Sequence, residues 1–178
     1  MGFVNQWKGI NWSIVRDPHD FLAGYDQTNS AVFPIAFMLA SFIAVMVPLG
    51  SLSVVLNITA PADAAVGFAA FLSIGIVLWL IALVEALLVH GIAYLAGARG
   101  LTTTLEAYAF PTLVRYAVWW IPLVNFAFGL YGLYLQMKGL ASFHDIPMER
   151  AVVAVLFVPF LYIVLFIAVF VAAFASGI

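Results

Sequence analysis

The chain contains no cysteine and very little charge. The absence of cysteine excludes disulfides, thiol catalysis, palmitoylation and thiolate metal sites. Only 8% of the 178 residues are charged, the formal net charge is −2, and no basic block is present. We expect no nucleic-acid partner, because nucleic-acid binding needs a concentration of Lys and Arg.

Catalytic motifs are also missing from the sequence. The three histidines, His19, His90 and His144, are scattered and do not stand at metal-ligand spacing from carboxylates. There is no glycine-rich phosphate loop, and no serine lies in a nucleophile-elbow sequence. We therefore expect no enzyme activity, no metal and no cofactor.

Apolar sequence is abundant, at 66% of the chain. Long apolar runs with few or no charges predict transmembrane helices, because the core of a soluble protein does not require apolar runs of this length. We predict an all-α integral membrane protein, a polytopic bundle of about five transmembrane helices with an N-terminal amphipathic interfacial helix. The predicted parts are an N-terminal segment 1–30 and a membrane domain 31–178, with spans at about 33–56, 65–95, 104–120, 122–142 and 147–174.

The third run is the shortest. Thr103 and Glu106 fit a capping box, in which a Ser or Thr precedes a Glu by three residues, and this predicts a helix start near Thr104. The aromatic pair Trp119 and Trp120 at its other end is suited to a membrane interface. Because this run is short, four spans plus a re-entrant segment remains an alternative.

A short helical stripe lies near the N-terminus. Phe3, Trp7, Ile10 and Ile14 recur at helical spacing, with polar residues between them. The stripe predicts a helix in the membrane interface, with Trp7 and Trp12 as anchors. The alternative is a short helix that packs on the cytoplasmic end of the same protein.

The orientation follows from the positive charges in the loops. Five of the six Lys and Arg residues fall on one side of the predicted spans: Lys8, Arg16, Arg99, Lys138 and Arg150. Short cytoplasmic loops are enriched in Lys and Arg. We therefore predict a cytoplasmic N-terminus and a C-terminus outside.

Two charges, Glu85 and Arg115, lie deep inside apolar runs. Each is about ten residues from the turn between the second and third runs, so an antiparallel hairpin places both about 15 Å from the cytoplasmic edge. This arithmetic predicts an intramembrane ion pair, which we interpret as a structural clasp. The alternative is a polar relay that includes His90, although His90 lies about 140° around the helix from Glu85.

The fourth run carries a polar and small-residue face. Asn125, Gly129, Gly132 and Gln136 follow one another at helical spacing. Small residues let helices approach closely, and amides can form hydrogen bonds across such a contact. We interpret the face as a helix-packing surface with Gly129 and Gly132 at its centre. A narrow polar groove is the alternative.

Several short motifs resemble the Yip1-domain family, in the form of its short prokaryotic members. They are the segment 104–111 (TLEAYAFP), Ile121-Pro122, Gly139-Leu140, His144, Ile146, Arg150-Ala151, and, near the start, Asp17-Pro18 and Phe21-Leu22. The resemblance implies a five-span bundle with a cytoplasmic N-terminus, in a bacterial or archaeal cell membrane. In eukaryotic members it implies trafficking roles with partner membrane proteins and Rab-type GTPases. We do not carry the GTPase over, because the first span is preceded by only about 30 residues and no long acidic-aromatic tail.

Two functions follow as expectations. The first is a non-enzymatic scaffold or accessory subunit that contacts membrane lipids and binds other integral membrane proteins. The second is a small transporter or channel for a solute or ion. The transporter would use the intramembrane polar residues Glu85, Arg115, His90, Asn125 and Gln136.

Overall fold

The computed structural model describes residues 2–26, 29–118 and 120–176, and within them the fold is all-helical, as predicted. Trp119, one half of the predicted aromatic pair, lies outside the described residues. The helices are α1 (Phe3–Arg16), α2 (Pro18–Gly24), α3 (Val32–Leu56), α4 (Pro61–Leu95), α5 (Leu101–Ala109), α6 (Thr112–Tyr116), α7 (Pro122–His144) and α8 (Met148–Ala175). Three of these described helices, α3, α4 and α8, are long and apolar enough to cross a membrane.

Helices α3 and α4 form a close antiparallel hairpin. A Cβ at Gly75 of α4 would stand 2.9 Å from Met46 Cγ, and a Cβ at Gly67 would overlap Ser53 Oγ. The missing side chains therefore let the two backbones approach. With 35 residues, α4 is about 52 Å long, which exceeds a bilayer core of about 30 Å, so the helix is tilted or extends into the headgroup layer.

The single helix expected over 104–120 is instead two short helices. The chain bends at Phe110 and Pro111, and α6 begins at Thr112. Proline has no N–H for the helical ladder and its ring clashes with the preceding turn, which explains the break. The start near Thr104 was also wrong: α5 begins at Leu101, after Gly100 with a φ of 86°.

The N-terminal segment holds two helices, α1 and α2, where only one was predicted. Helix α1 ends at Arg16, Pro18 occupies the first turn of α2, and the Asp17 carboxylate accepts a hydrogen bond from the Asp20 N–H at 3.2 Å. Proline fits this position because the first-turn N–H has no helical partner. At the other end of the bundle, Asp145 ends α7 in a left-handed conformation at φ 50°.

Helix α1 packs on the bundle with the face that carries Ile10 and Ile14. Trp7 is partly buried, and its Nε1–H donates a hydrogen bond to Ser41 Oγ of α3 at 3.1 Å. Trp12 lies on the opposite, exposed side. The described contacts of α1 are thus those of a helix that packs on its own protein.

Aromatic rings fill the core where the N-terminal segment meets the bundle. Phe110 lies 5.2 Å from Phe37 and 5.0 Å from Tyr25, measured between ring centroids. Phe143 of α7 lies 5.2 Å from Tyr25. The two contacts of Phe110 are edge-to-face, an arrangement that adds stability beyond the buried area. The cluster joins the residues before α3 to α3, the α5–α6 bend and α7.

Helix α8 packs on α4 and α7 through its first half only. Ala151, Ala154, Val155 and Val158 are buried, whereas no residue from Phe160 to Phe174 is buried. The helix therefore leaves the bundle about halfway along its length.

Candidate functional site: polar clusters within the bundle

The two charges inside the apolar runs meet in the structure. Arg115 Nη1 donates to Glu85 Oε2 at 3.1 Å, and the side chains are only 17% and 8% exposed, respectively. The same nitrogen lies 3.3 Å from Gln136 Oε1 of α7. The contact therefore joins α4, α6 and α7, and not only the two helices of the predicted hairpin.

Aromatic side chains surround this ion pair. The Arg115 guanidinium carbon lies 5.2 Å from the centre of the Tyr116 ring, a cation–π distance. Tyr108 is fully buried nearby, and Tyr162 of α8 interacts electrostatically with both charges. Low-polarity surroundings strengthen the attraction between the charges and raise the cost of leaving either unpaired.

The two predicted packing glycines differ in their surroundings. A Cβ at Gly132 would lie 2.6 Å from Arg115 Cβ and 2.9 Å from Arg115 Cα, whereas nothing lies within 4 Å of a Cβ at Gly129. Only Gly132 is therefore required for a close approach, and that approach brings α6 against α7 at the ion pair.

Asn125 occupies a different environment from Gln136, although both lie on the predicted face of α7. The Asn125 Oδ1 atom is buried and makes no hydrogen bond to the described residues. Together with Arg115, Tyr116 and Gly129 it lines an open cavity of about 310 Å³ between α6 and α7. The face thus combines a packed half with a half that borders a cavity.

His90 does not contact Glu85. Its Nδ1 lies 2.8 Å from Thr104 Oγ1, and the same hydroxyl lies 2.9 Å from His144 Nε2. Because a hydroxyl carries one hydrogen, it donates to one ring and accepts from the other. Burial lowers the pKa of His144 below its usual value near 6.5. A hydrogen bond with the Arg99 backbone opposes this shift of the pKa, and the neighbouring His90 adds to it. The cluster links α4, α5 and α7.

A third cluster joins the N-terminal segment to α5, and sequence reasoning missed it. Asn29 Nδ2 donates to Glu106 Oε1 at 2.7 Å, and the Tyr25 hydroxyl donates to the same oxygen at 3.3 Å. Burial raises the pKa of Tyr25, and the Glu106 carboxylate adds to this effect, so the hydroxyl stays protonated and donates. The available signal was Glu106 itself, an acidic residue in the third apolar run.

The three clusters pair polar groups with one another. Within the described residues, no group of three or more His, Asp or Glu side chains is placed to hold a metal ion. Each cluster instead connects two or three elements that are distant in sequence. Such contacts neutralise buried polar groups and fix how helices meet.

Three long apolar helices, with polar side chains turned toward one another inside the bundle, define a polytopic α-helical integral membrane protein. The Yip1 domain model matches residues 12–170, which is most of the chain. The chain therefore belongs to the Yip1 domain family, and the resemblance found in its short motifs is confirmed. Neither a search of curated proteins nor a search of solved structures returned a match.

Proposed function

We propose that this protein is a non-enzymatic scaffold or accessory subunit that binds other integral membrane proteins. The observation that carries the proposal is the outer half of α8. From Phe160 to Phe174 the helix is apolar and exposed on nearly every face, with Phe166 72% and Phe170 63% exposed.

A helix that is apolar all round is normally covered on all sides. The last buried residue of α8 is Val158, and beyond it Tyr162 still reaches the Glu85–Arg115 pair, so lipid or partner helices cover the remaining surface. The Phe166 and Phe170 rings are stacked, with their centroids 6.5 Å apart, and form one aromatic face of α8. Large aromatic surfaces are enriched at protein–protein contacts, and we assign this face to the partner.

The Glu85–Arg115 pair serves this function as a clasp. Removal of either charge leaves the other buried and unpaired, which costs several kcal/mol, whereas the intact pair fixes how α4, α6 and α7 meet. A rigid bundle can present α8 at a defined position to a partner.

The proposed topology has five crossings, with the α5–α6 pair as the third, and a cytoplasmic N-terminus. It is supported by the grouping of positive residues at one end, where Arg150 Nη1 donates to the Ala96 carbonyl at 2.9 Å and Lys138 contacts His19. Exposed Trp12 is assigned to the membrane interface. We place the protein in a bacterial or archaeal cell membrane, with membrane lipids as its other contact.

Photo-crosslinking along α8 tests the scaffold. A photoreactive phenylalanine analogue is introduced at Phe166 or Phe170, and on the opposite face at Val164 or Ala168. We expect a discrete protein adduct from the first pair and lipid adducts from the second. Position Phe42, which is fully buried, is the control and should crosslink within the chain. Lipid adducts alone at all four positions would contradict a partner on this face.

A transporter or channel is the second candidate, and the cavity beside Asn125 is the observation that favours it. Because the native chain has no cysteine, single cysteines at positions 85 and 125 report water access directly. Labelling of both cysteines by a membrane-impermeant reagent would contradict the scaffold hypothesis and support a polar path through the bundle. Protection of both cysteines from the reagent would contradict the transporter hypothesis.

A further inference from the structure

Glu106 is a buried carboxylate without a cationic partner. The residue is 4% exposed, and its Oε1 accepts hydrogen bonds from the neutral donors of Asn29 and Tyr25. Within the described chain no Lys, Arg or His nitrogen lies within 4 Å of either carboxylate oxygen, since the Glu85–Arg115 contact is the single ion pair found there. An ionised carboxylate away from water is costly unless a cation accompanies it.

A cavity of about 190 Å³ adjoins this carboxylate. Its described lining includes a second carboxylate, Asp26, and the hydroxyl residues Thr102 and Thr103, and it contains no positively charged side chain. At about 30 Å³ for each molecule in the liquid, this volume corresponds to roughly six waters. The cavity therefore has room for a small organic group, and its lining favours positive charge.

Aromatic rings form part of the same wall. Tyr25 and Phe143 both line the cavity, with their ring centroids 5.2 Å apart. The face of an aromatic ring attracts a cation, and carboxylates combined with ring faces are the usual surroundings of bound ammonium groups. A Ca²⁺ or Mg²⁺ ion instead requires about six oxygen ligands, and rings occupy part of this surface.

We propose that the cavity beside Glu106 binds an alkylammonium group, with Glu106 and Asp26 as its counter-charges and Tyr25 and Phe143 as its aromatic walls. The group can come from two sources, the headgroup of an aminophospholipid or a free amine. The site is independent of the partner proposed for α8. A bound cation also ties the segment before α3 to α5, because Tyr25 and Asn29 already bond to Glu106.

Thermal unfolding of the full chain in detergent tests the site. Ethanolamine and choline chloride are added as probes, with NaCl at equal ionic strength as the reference. At about ten times the Kd we expect the Tm to rise by about 3 °C, because a ligand that binds only the folded state stabilises it. The rise should disappear in Glu106→Gln, weaken in Asp26→Asn, and remain in the control Glu149→Gln, which changes an exposed carboxylate of α8.

Phe143→Leu keeps the proposal testable if Glu106→Gln fails to fold. It retains an apolar side chain but removes a ring face, so the choline-induced shift in Tm should fall more than the ethanolamine-induced shift.

Nanodiscs distinguish the two sources of the ammonium group, a lipid headgroup and a free amine. A higher Tm in phosphatidylethanolamine than in phosphatidylglycerol, without an effect of free ethanolamine, assigns a lipid headgroup, whereas an effect of free ethanolamine assigns a soluble amine.

Three outcomes would overturn the proposal. The first is the absence of a shift with any ammonium compound in both detergent and nanodiscs. The second is an equal shift in the wild type and the Glu106→Gln variant. The third is a shift with Ca²⁺ or Mg²⁺ alone, which would mean a metal site in place of an ammonium site.

Discussion

The Glu85–Arg115 contact makes a quantitative prediction through a double-mutant cycle. At the observed 3.1 Å, two unit charges in a medium of effective dielectric constant about 20 attract by about 5 kcal/mol. Most of this attraction is offset by the cost of removing both charges from water. The pair therefore adds little net stability, whereas an unpaired survivor is strongly unfavourable.

The expected costs follow from that balance. Glu85→Gln and Arg115→Gln should each lower the free energy of unfolding by about 3 kcal/mol, because breaking a buried pair costs roughly 3–5 kcal/mol and Arg115 keeps some exposure. The double variant should cost less than about 1.5 kcal/mol, since neither charge remains. The coupling between the two positions is then about 4 kcal/mol or more, above the usual range for neighbouring residues.

The free energy of unfolding of the wild type, the two single variants and the double variant is measured by unfolding in SDS, followed by tryptophan fluorescence and by helical circular dichroism. Glu149→Gln and Arg16→Gln are the controls, because both change exposed charges and should cost less than about 0.5 kcal/mol. If each single variant costs less than about 0.5 kcal/mol and the double variant equals their sum, the clasp is wrong.

Three further perturbations probe other contacts. Gly132→Ala should cost about 1–3 kcal/mol in the same unfolding assay, because the new methyl group meets Arg115 at 2.6 Å, whereas Gly129→Ala, which meets nothing within 4 Å, should be neutral. Thr104→Val should cost about 1–3 kcal/mol, because two partly buried ring nitrogens lose a partner. Thr104→Ser should restore most of this loss, and equal losses in the two variants would argue against the hydrogen bonds. Because the pKa of His144 is lowered in the folded protein, the unfolded chain binds more protons at this residue below pH 6.5, and the free energy of unfolding should fall from pH 7 to pH 5. His144→Gln should flatten this pH dependence. An unchanged slope in the variant would contradict the assignment to His144.

The ion pair was predictable because the sequence isolates its two members. Glu85 and Arg115 stand in runs with almost no other charge, on either side of a short turn, so hairpin geometry alone places them together. Gln136 as the third partner was not predictable at this level. Its place beside Arg115 depends on the rotation of α7 about its own axis, and no periodicity determines that rotation relative to another helix.

Glu106 shows where local patterns fail. Thr103 and Glu106 match a capping box, and a local interpretation accounts for both residues without any distant partner. In the structure α5 begins earlier, at Leu101, and Glu106 bonds to Asn29, a residue 77 positions away. A contact across that separation has no signature in spacing, because it depends on how the N-terminal segment packs over the bundle.

Pro111 was visible in the sequence, but its effect depends on the packing of the residues after it. A proline within a transmembrane helix often produces only a kink, because neighbouring groups satisfy the freed carbonyls. Here α6 continues for only five residues, Thr112–Tyr116, and ends close to where Arg115 reaches Glu85. The break thus separates α6 from α5. The Phe110 ring lies in the aromatic core, while Arg115, one turn later, faces α4 and α7. One proline therefore lets a single short run contribute both to the cluster at the N-terminal segment and to the ion pair within the bundle.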